Sequence, residues 1–166
     1  MYHRIVVPLD GSKLAEEVLE HVRALAHCMG SEVILMRVMA YPAYDYLLTD
    51  PMMSASLREQ MEQEACNYLE PLANAFQDEG IRASADAVIV TGPIADAIIE
   101  FARDKKADLI TMSTHGRTGP SRWLLGSVAD RVVRGAGMPV LMIRPVSKKQ
   151  TGCYSKSVMD QRSGAP

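Results

Sequence analysis

The sequence predicts an α/β fold, an open five-stranded parallel sheet with helices on both faces. Five short apolar runs alternate with four segments of helical periodicity, as in a parallel sheet whose crossovers are helices. The runs are apolar at consecutive positions, which is typical of strands buried on both faces. A chain of 166 residues fits one domain with a single core.

The first strand and helix follow directly from the N-terminus. Residues 4–9 (Arg-Ile-Val-Val-Pro-Leu) predict a strand, and residues 10–12 (Asp-Gly-Ser) a turn. Apolar residues at helical spacing then predict one helix over residues 14–29, and Gly30 is a suitable C-terminal stop.

The second strand is predicted over residues 32–38, followed by a long loop over residues 39–54. A loop of that length often covers a site or an interface, and it is equally compatible with a surface excursion. The next helix is predicted over residues 57–76, with Pro71 expected to kink or split it.

The second half of the chain repeats the alternation. Its predicted elements are strands over residues 83–90, 107–112 and 138–143, a helix opened by Gly92-Pro93, and a short helix over residues 127–134. Residues 1–146 therefore form the predicted domain, and residues 147–166 a polar C-terminal tail.

Composition narrows the function classes. The net charge is −2 and no basic run occurs, so we expect neither a nucleic-acid partner nor a membrane partner. The three cysteines have no metal-binding spacing, and reduced thiols are the expected state. The first strand begins within a few residues of the N-terminus, so we expect no signal peptide, and no apolar run is long enough to span a membrane. We therefore expect a cytoplasmic location.

The loop after the fourth strand carries the clearest candidate site. Gly116 and Gly119 let backbone N–H groups turn toward an anion, and Gly126-Ser127 opens a helix. Ser127 with Asp130 predicts a variant of the capping box. A helix N-terminus beside glycine-rich backbone suits a phosphate group. From these residues alone, an ordinary glycine-rich turn before a capped helix is an equally good interpretation.

Longer matches join this loop to the rest of the chain. The segments that carry these matches are residues 6–12 (Val-Val-Pro-Leu-Asp-Gly-Ser), 107–110, 115–119, 124–132 and 139–141. Through these segments the chain resembles the universal stress protein family over about residues 3–145. The resemblance implies a Rossmann-like fold of the adenine nucleotide α-hydrolase type. It also implies an ATP-binding protein of the stress response.

The nucleotide-binding branch of that family carries Gly-x-x-Gly, nine residues, then Gly-Ser or Gly-Thr. Here Gly116, nine residues and Gly126-Ser127 match, whereas Ser113 stands where the pattern has its first glycine. Its side chain could crowd a ribose or phosphate, or its hydroxyl could donate a hydrogen bond to the nucleotide.

The resemblance implies the nucleotide-binding residues. Asp10 would lie near the adenine or ribose, although it also suits a simple turn before a helix. Val38 would offer backbone groups to the adenine, and Met112 would pack on the base or in the core. The full candidate set is Pro8, Asp10, Val38, Met112, Ser113, His115, Gly116, Arg117, Gly119, Gly126, Ser127 and Val128.

The function expected from this resemblance is regulatory. ATP, with or without Mg²⁺, would set the conformation or the protein partners of the molecule, and hydrolysis would be slow at most because no Walker motif is present. One alternative is a stress protein that acts through protein contacts without ATP. Another is a small hydrolase using His115 and a serine, for which no orienting third residue is evident.

The fifth strand suggests how the protein assembles. Residues 138–143 form an apolar predicted edge strand without a charge. Family members commonly pair this strand across a two-fold axis, which implies a homodimer. The polar tail could instead fold back over the edge.

Overall fold

The structure is a computed structural model that describes residues 1–41, 51–114 and 125–144. Its described residues form one sheet of five parallel strands in the order β3-β2-β1-β4-β5. This confirms the predicted fold class. The strands are β1 (Arg4–Pro8), β2 (Glu32–Ala40), β3 (Ala83–Val90), β4 (Leu109–Ser113) and β5 (Val140–Ile143).

Helices cover both faces of the sheet. One face packs against α1 (Lys13–Glu16), α2 (Val18–Met29) and α3 (Pro51–Asp78), and the other against α4 (Ile94–Asp104) and α5 (Ser127–Gly135). Alternate residues of β2 show the division, because Leu35 faces the first layer and Met36 the second. Both side chains are fully buried.

The first predicted helix is two helices in the structure. The Ser12 hydroxyl caps α1 by accepting from the Ala15 N–H at 3.1 Å. The Glu17 N–H then donates to the Ala15 carbonyl, so the i to i−4 ladder is interrupted between α1 and α2. Apolar spacing predicted the buried face of this segment but carried no signal for the interruption.

The segment between β2 and α3 is shorter at both ends than predicted. Strand β2 continues to Ala40 and α3 begins at Pro51, while residues 42–50 lie outside the described residues. Pro71 does not divide α3. Leu69 and Ala73 on either side of it are buried against the sheet, and this packing offsets the missing hydrogen bond.

The start of α5 corrects one prediction. Its N-cap is Gly126, not Ser127, and no side chain caps the helix there. The Asp130 carboxylate, predicted to complete a capping box, accepts from Arg134 Nε at 3.0 Å instead. Strands β4 and β5 each begin two residues later than predicted.

The strand order places a topological switch point at the centre of the sheet. The chain moves outward from β1 to β2 and β3, then crosses back to β4 on the other side of β1. Ligands of open α/β sheets bind beyond the carboxyl ends of the strands at such a point. Within residues 1–41, 51–114 and 125–144, no helix is long and apolar enough to cross a membrane.

Candidate functional site

A cavity of about 560 Å³ opens at the carboxyl edge of the sheet. It extends from the end of β2, past the end of β1, to the end of β4 and the first turn of α5. A volume of this size suits a small organic ligand. The cavity therefore lies where the switch point predicts a ligand.

Every predicted site residue that the structure describes lines this cavity. They are Pro8, Asp10, Val38, Met112, Ser113, Gly126, Ser127 and Val128. The remaining four candidates, His115, Gly116, Arg117 and Gly119, lie outside the described residues. Four segments that are far apart in sequence are thus brought to one place by the parallel sheet.

One wall of the cavity is apolar. Ile94 and Ile98 of α4 face it together with Met112 of β4 and Val38 of β2. Ile98 and Met112 also belong to the core beneath α4 and α5, where they are 2% and 6% exposed. Met112 is therefore both a core residue and a lining residue, as its two predicted roles allow.

Asp10 lies at the cavity directly after β1. Its Oδ1 accepts from the Ser12 N–H at 2.9 Å and from the Ser12 hydroxyl at 2.6 Å. The residue therefore shapes the turn before α1, which was one of its two predicted roles. Asp10 also lines the cavity, and the turn holds its carboxylate in a fixed position.

The backbone of β2 offers hydrogen-bonding groups beside Asp10. The Glu32 N–H and the Met36 carbonyl bond to β1, whereas the Val33 and Tyr41 N–H groups bond to the β3 side. This alternation directs both backbone groups of Val38 toward the β1 side. Strand β1 ends at Pro8, opposite Met36, so these groups lie beyond its ladder at the cavity.

The first turn of α5 forms the opposite end of the cavity. In a helix capped at Gly126, the N–H groups of Ser127, Val128 and Ala129 have no carbonyl partner within the helix. All three residues line the cavity. With the positive end of the helix dipole, these donors favour an anion.

Gly126 is required by a close approach rather than by its φ of −58°. Its N–H donates to the Thr114 carbonyl at 3.0 Å, and a Cβ on Gly126 would lie 3.1 Å from that same oxygen. Any side chain there would press on the end of β4. The glycine thus allows the first turn of α5 to approach the strand.

Ser113 is the last residue of β4 and is 8% exposed. It pairs with Ile143 of β5 and lines the cavity beside Thr114. The residue that departs from the glycine pattern is therefore held in a strand and nearly buried.

Sequence analysis missed Arg37, which also lines the cavity. Its side chain is 7% exposed, and its Nη2 donates to Glu64 Oε1 of α3 at 2.7 Å. Its guanidinium carbon lies 5.2 Å from the centre of the Tyr68 ring. An arginine inside a strand buried on both faces was the available signal.

Tyr68 continues this polar cluster behind the cavity. Its hydroxyl donates to Glu16 Oε1 at 3.3 Å. Burial, and then the negative charge and hydrogen bond of Glu16, raise the pKa of Tyr68 well above its ordinary value. Tyr68 is therefore neutral at physiological pH.

Among the described residues, no group of three or more acidic, histidine or cysteine side chains is arranged to hold a metal ion.

Solved structures share this architecture. The structure of MJ0577, described as a structure-based assignment of biochemical function, is 30% identical, with a TM-score of 0.76 over 89% of this chain and 99% of that one. A universal stress protein of Archaeoglobus fulgidus in complex with dAMP matches with a TM-score of 0.56 at 24% identity, over 86% and 98% of the two chains. A universal stress protein in complex with cAMP matches with a TM-score of 0.60 at 22% identity, over 87% of this chain and 98% of that one. The last two support the fold alone.

The sequence comparisons agree with the structural ones. The universal stress protein MJ0531 of Methanocaldococcus jannaschii is 33% identical over 149 residues, which is 90% of this chain and 86% of that protein. A sequence model of the universal stress protein family matches residues 1–144. The chain belongs to the universal stress protein family.

Proposed function

We propose that this protein binds an adenine nucleotide, ATP in the first place, in the cavity at the carboxyl edge, and acts as a regulatory protein of the stress response. The observation that carries the proposal is the convergence of the candidate residues. Those that the structure describes come from separate segments and all line one cavity of about 560 Å³. Two universal stress proteins have structures in complex with dAMP and cAMP, which makes adenine nucleotides the first ligands to test here.

The chemistry of the cavity favours one orientation of the nucleotide. Phosphates fit the first turn of α5, where N–H groups and the helix dipole favour negative charge. The nucleoside then extends over the ends of β1 and β2. There the apolar wall suits a flat base, and the Val38 backbone with the Asp10 carboxylate suits its polar edge.

The site favours binding over rapid hydrolysis. The Asp10 carboxylate is engaged by Ser12, and the described residues contain no cluster of metal ligands. Mg²⁺ that accompanies ATP would be held mainly by the phosphates. We therefore expect turnover to be slow at most, and steady-state release of phosphate at about 1 s⁻¹ or faster, as in phosphoryl-transfer enzymes, would contradict this part of the proposal.

Binding is tested by thermal unfolding with ATP, ADP and AMP. Wild-type protein should melt at a higher temperature as nucleotide concentration rises, because the ligand binds the folded state. Gly126→Asp should abolish the gain with ATP, because it adds a carboxylate and crowds the Thr114 carbonyl. Gly137→Asp is the matched control, since Gly137 is exposed with open space around its Cβ position.

The outcome also decides between two classes of function. A shift in wild type and in Gly137→Asp, but not in Gly126→Asp, supports nucleotide binding at this cavity. No shift in wild type at millimolar ATP would reject it and favour a stress protein that acts through protein contacts alone.

A homodimer through β5 is part of the proposal. This strand ends the sheet, pairs with β4 on one side, and consists of four half-buried apolar residues. Because the Pro139 and Ile143 carbonyls bond to β4, the backbone groups of Val140 point to the outer edge. Val140→Pro should remove an outward donor without breaking the β4 ladder, and sedimentation should then show a monomer where wild type is dimeric.

A cytoplasmic location completes the proposal. Cys28 and Cys66 carry free thiols, as expected in a reducing compartment. Fractionation that places the protein outside the cytoplasm would contradict it.

A further inference from the structure

Arg37 is a buried charge among the apolar residues 33–40 of β2. Its neighbours in β2, Leu35 and Met36, are fully buried, and its own side chain is 7% exposed. A guanidinium has five N–H donors and no acceptor, so it loses its hydration on burial unless acceptors replace the water. The partners of Arg37 are therefore informative.

Those partners satisfy the guanidinium only in part. Nη2 donates to Glu64, whose side chain is 65% exposed and therefore remains largely hydrated. The Tyr68 ring offers its face at 5.2 Å, which is a weak attraction. Nε is buried and has no acceptor within the part of the chain that the structure describes.

The position of Arg37 relates it to the cavity. Arg37 and Glu64 both line the cavity, and Arg37 immediately precedes Val38. The first turn of α5 lies at the other end, beyond β1 and β4. Two strand spacings separate β2 from β4, about 10 Å. A nucleotide with its phosphates at α5 would thus have its nucleoside beside Arg37.

We propose that Arg37 is a ligand-binding residue whose guanidinium donates a hydrogen bond to an acceptor on the nucleoside part of the bound nucleotide. The inference rests on the proposed nucleotide-binding function and goes beyond it, because no residue of the glycine pattern supplies this contact. A ring nitrogen of the base and a ribose hydroxyl are both suitable acceptors. The ligand replaces Glu64 as the main partner of the guanidinium.

Calorimetric titration with AMP tests the proposal. Arg37→Met, which keeps the length and apolar stem of the side chain, should weaken AMP binding by about tenfold, an amount typical of a lost charged hydrogen bond. Arg37→Lys, with a single ammonium, should recover part of the loss. Glu64→Gln should bind AMP about two- to threefold more tightly than wild type, because it removes the ion pair that competes with the ligand for the guanidinium. The size of this gain corresponds to the strength of an exposed ion pair. Glu62→Gln on the exposed side of α3 is the matched control and should bind as wild type does.

Analogues identify the acceptor atom. The analogues 2′-deoxy-AMP, 1-deaza-AMP and 7-deaza-AMP each lack one hydrogen-bond acceptor of AMP. Each analogue is titrated into wild type and into Arg37→Met. The analogue that lacks the contacted atom should bind wild type more weakly than AMP does. It should bind Arg37→Met with the same affinity as AMP does. A ribose contact and a base contact therefore give different patterns.

The opposite effects of Arg37→Met and Glu64→Gln separate ligand binding from a structural role. If both variants lose affinity together and in proportion to their loss of stability, Arg37 only holds α3 and the proposal is overturned. Unchanged AMP affinity in Arg37→Met also overturns it while leaving the proposed function intact. Absence of AMP, ADP and ATP binding to wild type would reject the proposed function itself, and this inference with it.

Discussion

The two ends of the cavity differ in the groups that they offer to a ligand. At the α5 end the groups are backbone N–H donors, and the decisive side chain is the missing one of Gly126. At the β2 end the groups include side chains from the turn after β1, from β2 and from α3, namely those of Asp10, Arg37 and Glu64. An end made of backbone is recognisable from glycine spacing. An end made of side chains depends on how helices pack, which spacing does not encode.

The largest expected effect concerns the support of the β2 end. Phe76 of α3 is fully buried, and α3 also carries Glu64 and Tyr68. Phe76→Ala should lower the free energy of unfolding by about 3–5 kcal/mol, through lost burial and a cavity. Urea unfolding measures this directly.

Val133→Ala on the exposed side of α5 is the control for that experiment. Its side chain is among the exposed apolar ones, so the free energy of unfolding should change by no more than about 0.5 kcal/mol. A loss below about 1 kcal/mol in Phe76→Ala would show that α3 is not firmly packed on the sheet.

A smaller effect is expected from a single methyl group at the other end. Gly126→Ala places a Cβ 3.1 Å from the Thr114 carbonyl oxygen, and relief of this contact should cost about 1 kcal/mol of stability. The change should weaken ATP binding several-fold and adenosine binding hardly at all, because in the proposed orientation only ATP places phosphates at the first turn of α5. Equal losses for both ligands would place the nucleoside, not the phosphates, at α5. Gly137→Ala should leave both affinities as in wild type.

Tyr68 gives a pH-dependent effect at the β2 end. The unfolded chain loses the phenolic proton near the ordinary pKa of 10, whereas burial and Glu16 keep the folded pKa higher. The folded state then binds more protons than the unfolded one, so stability falls as pH rises above about 10. In Tyr68→Phe this fall in stability above about pH 10 should be absent. Below pH 9 the substitution should lower the free energy of unfolding by about 0.5–1 kcal/mol, because the hydrogen bond is lost. Parallel pH curves for the two proteins above pH 10 would contradict the assignment.

The smallest effect is expected at an ion pair behind the α5 end. Arg131 of α5 donates to both carboxylate oxygens of Asp96 of α4, at 2.8 and 2.7 Å. Both side chains are about half exposed, so Arg131→Ala should cost about 0.2–1 kcal/mol. The cost should shrink in high salt, and Asp96→Ala should give a similar value. A cost above 2 kcal/mol would mean that the pair organises the packing of α4 on α5.

Most of the fold followed from the sequence, because apolar periodicity is a local property. The strands around Val6, Ile34 and Ile110 are apolar at consecutive positions, and the parallel sheet follows from their alternation with helices. The break between α1 and α2 did not follow, because it depends on where the Glu17 N–H finds its acceptor. The start of α5 was misassigned for a similar reason, since Asp130 has Arg134 as a competing partner.

At the candidate site, the sequence pointed to residues of the cavity where residue type constrains the local backbone. Gly126 and Asp10 were identifiable because a close approach needs glycine and a tight turn favours aspartate. Arg37 was missed because its importance comes from burial against α3, which joins residues far apart in the chain. Tyr68 is a similar case, since only the packed structure places its hydroxyl beside Glu16.

Strand β2 continues four residues beyond Met36, which faces the last residue of β1. At about 3.3 Å per residue, the overhang is about 13 Å long, roughly the length of a nucleoside. The recess thus arises from two neighbouring strands of unequal length, and its depth is set by where Pro8 stops the shorter one. Insertions or deletions that alter this mismatch would resize the recess without changing any residue that touches the ligand. Homologues with the same glycine pattern could therefore differ in the size of the molecule that they accept.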